Sequence, residues 1–436
     1  MATQVTNYKC PACTGPLHFV GASGKLECDY CGNSYEVNEI EARLKVQNEQ
    51  AAAAAASANS RWDMGSLTEE WGGENQGMKV YDCPSCGAEL ICDATTAATC
   101  CPYCGNQAVV PGQFSGSLKP EYVIPFKTDK EQAKSALLAH YKGKWLLPKS
   151  FVSGNHIEDI QGVYVPFWMF DCEVSGHMEY AASSSTTNRT GNKEITTTKH
   201  YEVKRSGTLS FAKVPVDAST KMPDGHMDSI EPYDYRELKK FSMAYMPGFL
   251  ADKYDVEAQK CGERMQERCS KTFEEEVGKT VTGYDETSLR HKSISVKKGA
   301  VHYAMLPVWL LATKWNNQNF LFAMNGQSGK LVGDLPMDQG KFWGTFGGLS
   351  AAFVLLTLLF NLAIGLTGGS MALFCLVLPI AAAFAVVMVL KGQLSSVRPQ
   401  KAAAYIAGSG LKLTGKEDIF VRTSTSTRVI EAKDRK

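Results

Sequence analysis

Between Phe342 and Leu390 the chain runs for 49 residues without a single Asp, Glu, Lys, Arg or His. A helix needs about 20 apolar residues to cross a bilayer at a rise of about 1.5 Å each. The run is therefore long enough for two crossings, read as helices over about 346–366 and 371–390. Gly365, Thr367, Gly368, Gly369 and Ser370 lie between them, and such residues favour a reversal of the chain. A buried helical pair of a soluble protein would ordinarily keep a polar face. The expectation is a two-helix transmembrane hairpin. Lys330 and Lys341 precede it and Lys391, Arg398 and Lys401 follow it, so both flanks are placed on the cytoplasmic side of the cell membrane. The opening MATQVTNYKC has no apolar segment of the kind that directs export.

A cytosolic setting decides how the 14 cysteines are read, because paired thiols there serve metals more often than disulfides. Cys10 and Cys13 form one CxxC and Cys28 and Cys31 another, separated by 14 residues. Cys83, Cys86, Cys101 and Cys104 repeat the pattern with the same gap. Tyr8 and Tyr81, Pro11 and Pro84, Leu17 and Leu90, and Tyr30 and Tyr103 all stand 73 positions apart, which marks a duplication. Each CxxC turns two thiolates toward one ion, and two such turns close a tetrahedral site. The expectation is two small β zinc ribbons, each with a structural four-cysteine Zn2+ site, over 1–40 and 81–113. Cys101 is chosen over Cys100 because it preserves the CxxC spacing. Cys92, Cys100, Cys172, Cys261, Cys269 and Cys375 are read as bystanders.

Residues 41–80 form a linker, first rich in alanine and other helix formers and then carrying Trp62 and Trp71, which are expected to pack on the chain's own surface. The part from 114 to 340 is read as an α+β body. Helices are expected over Lys130–Tyr141, Leu238–Leu250 and Asp255–Val277, and strands over Gln161–Tyr180 and Val301–Phe322, with a hairpin tip in 183–198. Tyr164–Phe170 (YVPFWMF) and Met305–Leu311 (MLPVWLL) share Pro-x-Trp at an offset of 141, so the body is expected to contain two related halves. From Lys391 onward ten basic residues face four acidic ones, and this basic tail, with one strand near Phe420–Ile430, could meet anionic headgroups. Gly344-x3-Gly348 and Gly365-x3-Gly369 fit close helix packing, consistent with a homo- or hetero-oligomer.

Net charge is +1, and the two ribbons carry as cations only Lys9 and Lys25, which argues against nucleic acid as the partner. Gly326–Lys330 lacks the spacing and the hydroxyl of a phosphate-binding loop, and no HExxH, GxSxG or dinucleotide fingerprint is present. The chain is accordingly read as a non-enzyme. An enzyme would instead need a pocket holding titratable groups of strongly shifted pKa.

CPAC…CDYC, CPSC…CPYCGN, LKPEYVIPFK, LLPKSF, GVYVPFW and FAMNGQSGKLVGDLP, followed by the apolar hairpin, resemble a bacterial family of membrane-anchored twin zinc-ribbon proteins. These YdjG-like proteins are labelled as containing a TFIIB-type zinc ribbon, and some are mislabelled as primosomal helicase. The resemblance implies a membrane scaffold that recruits PspA-like or SPFH-domain proteins in a phage-shock type of envelope stress response. The alternative is a nucleic-acid-binding ribbon protein tethered to the membrane.

Overall fold

The computed structural model describes residues 12, 17–20, 23, 25–28, 30–40, 62–65, 67, 78–92, 101–106, 110–112, 118–154, 159–190, 192–364, 369–398 and 401–429. The chain divides into two compact units, Met1–Arg61 and Trp62–Lys436. In the first unit β1 (Leu17–Val20), β2 (Lys25–Cys28) and β3 (Ser34–Tyr35) form an antiparallel sheet. Its β1–β2 hairpin pairs Val20 with Lys25, with Ser23 in the turn, and buries Leu17, Leu26 and Ile40. In sequence this hairpin spans the stretch between the Cys10–Cys13 pair and the Cys28–Cys31 pair. The alanine-rich linker and Trp71 lie outside the described residues.

The second unit is built on a twelve-stranded mixed sheet. In chain order its elements are β4 (Lys79–Asp82), β5 (Glu89–Cys92), β6 (Val110–Gly112), β7 (Tyr122–Val123), α1 (Lys130–Tyr141), α2 (Lys149–Gly154), β8 (Gln161–Thr190), β9 (Lys193–Asp217), α3 (Asp224–Ile230), β10 (Lys239–Lys240), β11 (Leu250–Asp252), α4 (Ala258–Gly278), β12 (Glu286–Trp315), β13 (Gln318–Asn325), β14 (Leu331–Gly333), α5 (Gln339–Ile364), α6 (Gly369–Gly392) and β15 (Lys412–Val429). Along the sheet the order is β10-β7-β12-β8-β11-β5-β4-β6. In addition β13 lies on β12, β14 on β13, β9 on β8 and β15 on β9.

The stretches expected to mark two halves meet at the centre of this sheet. The two Pro-x-Trp stretches are cross-strand partners: Tyr164 faces Pro307 and Pro166 faces Met305, with the Val165–Leu306 pair at the midpoint. Parallel to these long strands run two short ones, β7 along Ala304–Met305 and β11 along Val163–Tyr164. Tyr122 and Leu250, the first residues of those pairings, stand 128 positions apart, and so do Asp129 and Glu257, the N-cap residues of α1 and α4. Each half is thus a short strand, a helix and a long strand, and each short strand lies against the other half's long strand. The halves diverge in helix length, 12 residues in α1 against 21 in α4.

Around positions 163–170 β8 is buried on both faces, so its apolar residues run almost without a break. Trp168 and Phe170 point into one core with Met265, Cys269 and Phe273 of α4, and Phe167 and Met169 point into another with Met222, Met227 and Ile230. On α4, residues 258, 261, 262, 265, 269, 273 and 277 make one buried stripe at helical spacing. A capping box starts α1: Asp129 accepts from the Gln132 backbone N–H at 2.8 Å, and Gln132 Oε1 accepts from the Asp129 N–H at 3.0 Å.

The expected linker docking occurs at Trp62. Its ring lies 4.8 Å from Phe170, and Asp63 forms a parallel bridge with Ala300. The expected helix over Leu238–Leu250 does not form. Short 3-10 turns at Tyr235–Glu237 and Met243–Tyr245 alternate there with β10 and β11. Pro247 removes a backbone donor, Gly248 takes φ +84°, and Phe241, Met243 and Tyr245 cover the α4-side core instead of lining a helix face. The tail also differs from expectation. Past α6, the Ala402 N–H donates to Thr272 of α4 at 3.0 Å, and β15 then pairs with β9 from Lys412 to Val429. Lys412, Lys416, Arg422 and Arg428 therefore lie along this strand, while Lys391, Arg398 and Lys401 stay at or just past the end of α6.

α5 begins earlier than expected, at Gln339, and α6 includes Gly369, which was assigned to the turn. Residues 365–368 lie outside the described residues. Within α5, Gln339–Leu362 is long and apolar enough to cross a membrane, and of its residues only Phe342, near its start, is buried. The Leu376–Gly392 part of α6 is apolar but shorter. Phe346 and Phe384 bring the two helices together at 6.1 Å between rings, and Phe342 and Val387 seat them in a third core with Leu146, Trp309 and Phe322.

Candidate metal centre

Cys83 and Cys86 sit in the turn between β4 and β5, and Cys101 and Cys104 in the turn that precedes β6. Both turns follow one backbone rule. The first cysteine's N–H donates to the carbonyl five residues on, Cys83 to Ala88 at 2.9 Å and Cys101 to Asn106 at 2.7 Å. The glycine four residues on donates back, Gly87 to Cys83 at 2.8 Å and Gly105 to Cys101 at 2.9 Å. Those glycines take φ +69° and +71°, a left-handed conformation that glycine adopts without strain. The Cys28–Cys31 turn of the first unit repeats the rule with Asn33 and with Gly32 at φ +71°. CxxCG, not CxxC alone, is the sequence signature of this geometry. Cys10 and Cys13 lie outside the described residues, so the ligand set of the first unit is described only in its second half.

In the second unit all four sulfurs fall within 4.8 Å of one another, with Cys83 Sγ 3.7 Å from Cys104 Sγ and Cys86 Sγ 3.6 Å from Cys101 Sγ. A tetrahedron of sulfurs about 2.3 Å from a zinc ion has edges of about 3.8 Å. The donor set fits a tetrahedral thiophilic ion, zinc or iron. At the doubled cysteine it is Cys101 that stands in this cluster. Cys92 is buried in β5 and outside the cluster, and Cys100 is outside the described residues.

Burial by itself raises the Cys83 thiol, but backbone donors from Cys86 and Ser85 and the neighbouring sulfurs outweigh it and bring it down to about 7. Burial pushes Cys86 up to about 11 and Cys101 higher still. A dication supplies the charge that ionises all four together. Asn106 Nδ2 lies 4.0 Å from Cys83 Sγ. Tyr103, half-buried between Cys101 and Cys104 with its hydroxyl inside, has its phenol raised by burial and by the Asp252 carboxylate of β11. The centre is thereby joined to the sheet, since β5 also pairs with β11 through Ile91–Ala251 and Leu90–Asp252. Four thiolates leave no position for a substrate, so the chemistry available here is structural.

A second feature was not legible in the sequence. A cavity of about 650 Å³ opens beside α3 and α4, lined by Asp217, Met222, Asp224, Lys260, Cys261 and Arg264. Burial raises Asp217 to about 7 against the pull of Arg264. Arg264 is held by three carboxylates, Asp217 at 2.8 Å, Asp224 at 2.8 Å and Asp228 at 2.5 Å, and Cys261 donates to the Asp217 carbonyl with its thiol pushed up to about 12 by burial. The arginine's donors are engaged in clamping the end of β9 to both helices. Residues from three separate segments meet here, and no local motif announces them.

Alignment with known proteins places most of the chain in a family. The uncharacterized protein YdjG of Bacillus subtilis (strain 168) is 34% identical over 334 residues, which cover 65% of this chain and 98% of YdjG. The chain belongs to the YdjG family. No family model matches it, and no solved structure matches it. For this member of the family, the cysteine cluster and the candidate membrane helix belong to one body, since both lie in the second unit.

Proposed function

We propose that this chain is a non-enzymatic, membrane-anchored platform, in which α5 and α6 cross the cell membrane as a hairpin and two structural zinc ribbons and the α+β body face the cytoplasm. One observation carries the reading. The outer surface of α5 is apolar and open, with Leu355, Leu356, Leu359, Phe360 and Leu362 all more than half exposed. A soluble monomer rarely shows an apolar patch beyond a few hundred Å². The base of the hairpin supports it. Trp145 and Trp343 are exposed there, and Trp145 Nε1 donates to Thr345 Oγ1 at 2.9 Å. Lys341 and Lys144 cap backbone carbonyls of Leu147 and Gln393 at 2.7 and 2.8 Å. Aromatic residues and lysines of this kind favour the membrane–water boundary.

On this reading the ribbons are knuckle surfaces for protein partners, and the resemblance noted above supplies the class: PspA-like or SPFH-domain proteins acting in envelope stress. The test is fractionation. Full-length protein should stay in the membrane pellet through an alkaline carbonate wash, and Leu355→Arg with Leu359→Arg should release it. A wild-type chain recovered in the wash would end the anchored reading. Capture from detergent-solubilised membranes should return protein partners that Cys83→Ser no longer holds, and an unchanged partner set would remove the ribbon from the recruiting surface.

A further inference from the structure

Strands in globular proteins usually run 3–10 residues. Here β8 and β12 have 30 residues each, β9 has 25 and β15 has 18. Beyond the cores they form a projecting arm in the order β12-β8-β9-β15. At about 3.3 Å per residue, β8 alone would extend on the order of 100 Å.

The outer part of this arm has no apolar face. Ser185 bonds to Thr198 at 2.9 Å, Thr187 to Thr196 at 3.0 Å and His200 to Ser424 at 2.9 Å. Both rims are open among the described residues. β15 has β9 as its ladder partner, and β12 from Glu286 to Lys298 has β8. Every residue but one of β15 is exposed, including Ile419, Phe420 and Val421 in succession. A long exposed rim with consecutive apolar residues is a site for pairing with another chain.

We propose that the two rims pair with each other between copies of this chain, β15 of one copy against the Glu286–Lys298 part of β12 of the next. Strand direction permits it. β12 is antiparallel to β8, β8 to β9 and β9 to β15, so the two rims run in opposite directions. A neighbour in the same orientation therefore meets β15 antiparallel. Height along the arm agrees as well. Tracing the ladders across, Leu413 is level with Ile294 and Phe420 with Thr287. Glu417 is level with His291 but Lys416 with Lys292, and Asp418 is held within its own chain by Arg205 at 2.5 Å, so strand direction and the apolar run at 419–421 carry the pairing and charge does not. The contact is head-to-tail and continues from copy to copy until it closes. Pairing two copies of β15 about a two-fold axis would instead point their α5–α6 ends in opposite directions.

The preference for this contact over a two-fold pairing rests on the anchored reading, which the carbonate wash tests separately, and the contact itself is tested on the full chain in detergent. Native mass spectrometry should give one discrete assembly of three or more copies. Ile419→Lys with Val421→Lys, both exposed positions, should reduce it to a single copy with unchanged circular dichroism. A photo-crosslinking residue at 421 should attach to peptides within 286–298 of another copy. A wild-type monomer, a dimer, an unchanged mass in the double variant, or crosslinks confined to other surfaces would overturn it.

Discussion

Among the described residues no cation is paired with the Asp252 carboxylate. Ser219 Oγ donates to it at 2.6 Å and the Lys253 N–H at 2.9 Å, and burial raises it to about 7. Its unfolded value is about 3.9. Between these values the folded chain holds a proton that the unfolded chain releases, so this group makes the fold lose stability as pH rises from about 4 to about 7. The full effect is on the order of 4 kcal/mol. Asp252→Asn removes the titration, keeps one oxygen to accept from the Lys253 N–H, and turns the amide N–H toward Ser219 Oγ as donor, with the hydroxyl now accepting. Relative to that variant, the wild-type thermal midpoint should fall between pH 5.5 and 8, and parallel curves would mean that Asp252 is already ionised in the fold. Measured against each other, the two proteins share whatever the metal centre does with pH. At the centre itself, Cys101→Ser should remove one bound metal equivalent per chain by elemental analysis, whereas Cys100→Ser should not. Spacing alone separates Cys100 from Cys101 in the sequence, and the turn geometry around Gly105 is the physical reason for it.

At the scale of elements, α4 holds the second unit together. Its N-terminal half receives Trp62 over Gly262, where a Cβ would meet the indole. Its C-terminal half receives β8 at Gly176, where a Cβ would lie 2.9 Å from Phe273 and 2.7 Å from the Ser293 carbonyl. Gly262→Leu should expel Trp62 from its place beside Phe170 and Lys298, seen as a red-shifted and more quenchable tryptophan emission, with a loss of about 1–3 kcal/mol. An unshifted spectrum would show that the linker docks elsewhere. Both α1 and α4 were readable beforehand because each carries an apolar stripe at helical spacing. Leu238–Leu250 was misread because its apolar residues serve a surface made by other strands, and a local window contains nothing of that surface.

For the whole molecule, the second cysteine cluster is a rim of the large sheet and not an appended bead. β5 joins it to β11, and β11 joins it to β8. Removing metal with a chelator should therefore loosen the rim and leave the middle intact. Hydrogen exchange should lose protection over 79–92 while 163–170 and 301–311 keep theirs. Uniform loss across both would mean that the centre and the sheet fold as one cooperative unit.

Much of this was legible in the residues alone. The uncharged run, the duplicated cysteine turns and the paired Pro-x-Trp stretches are local patterns, and helix period, tight-turn geometry and burial on both faces of a strand follow from neighbours in the chain. What waited for the tertiary structure was set by contacts remote in sequence. Residues 412–429 complete an arm begun at 161, Arg264 gathers three carboxylates from other segments, and the two repeat copies face each other across a ladder. Chain closure over such separations is decided by the total surface buried and the donors satisfied, and no stretch of residues encodes that sum by itself.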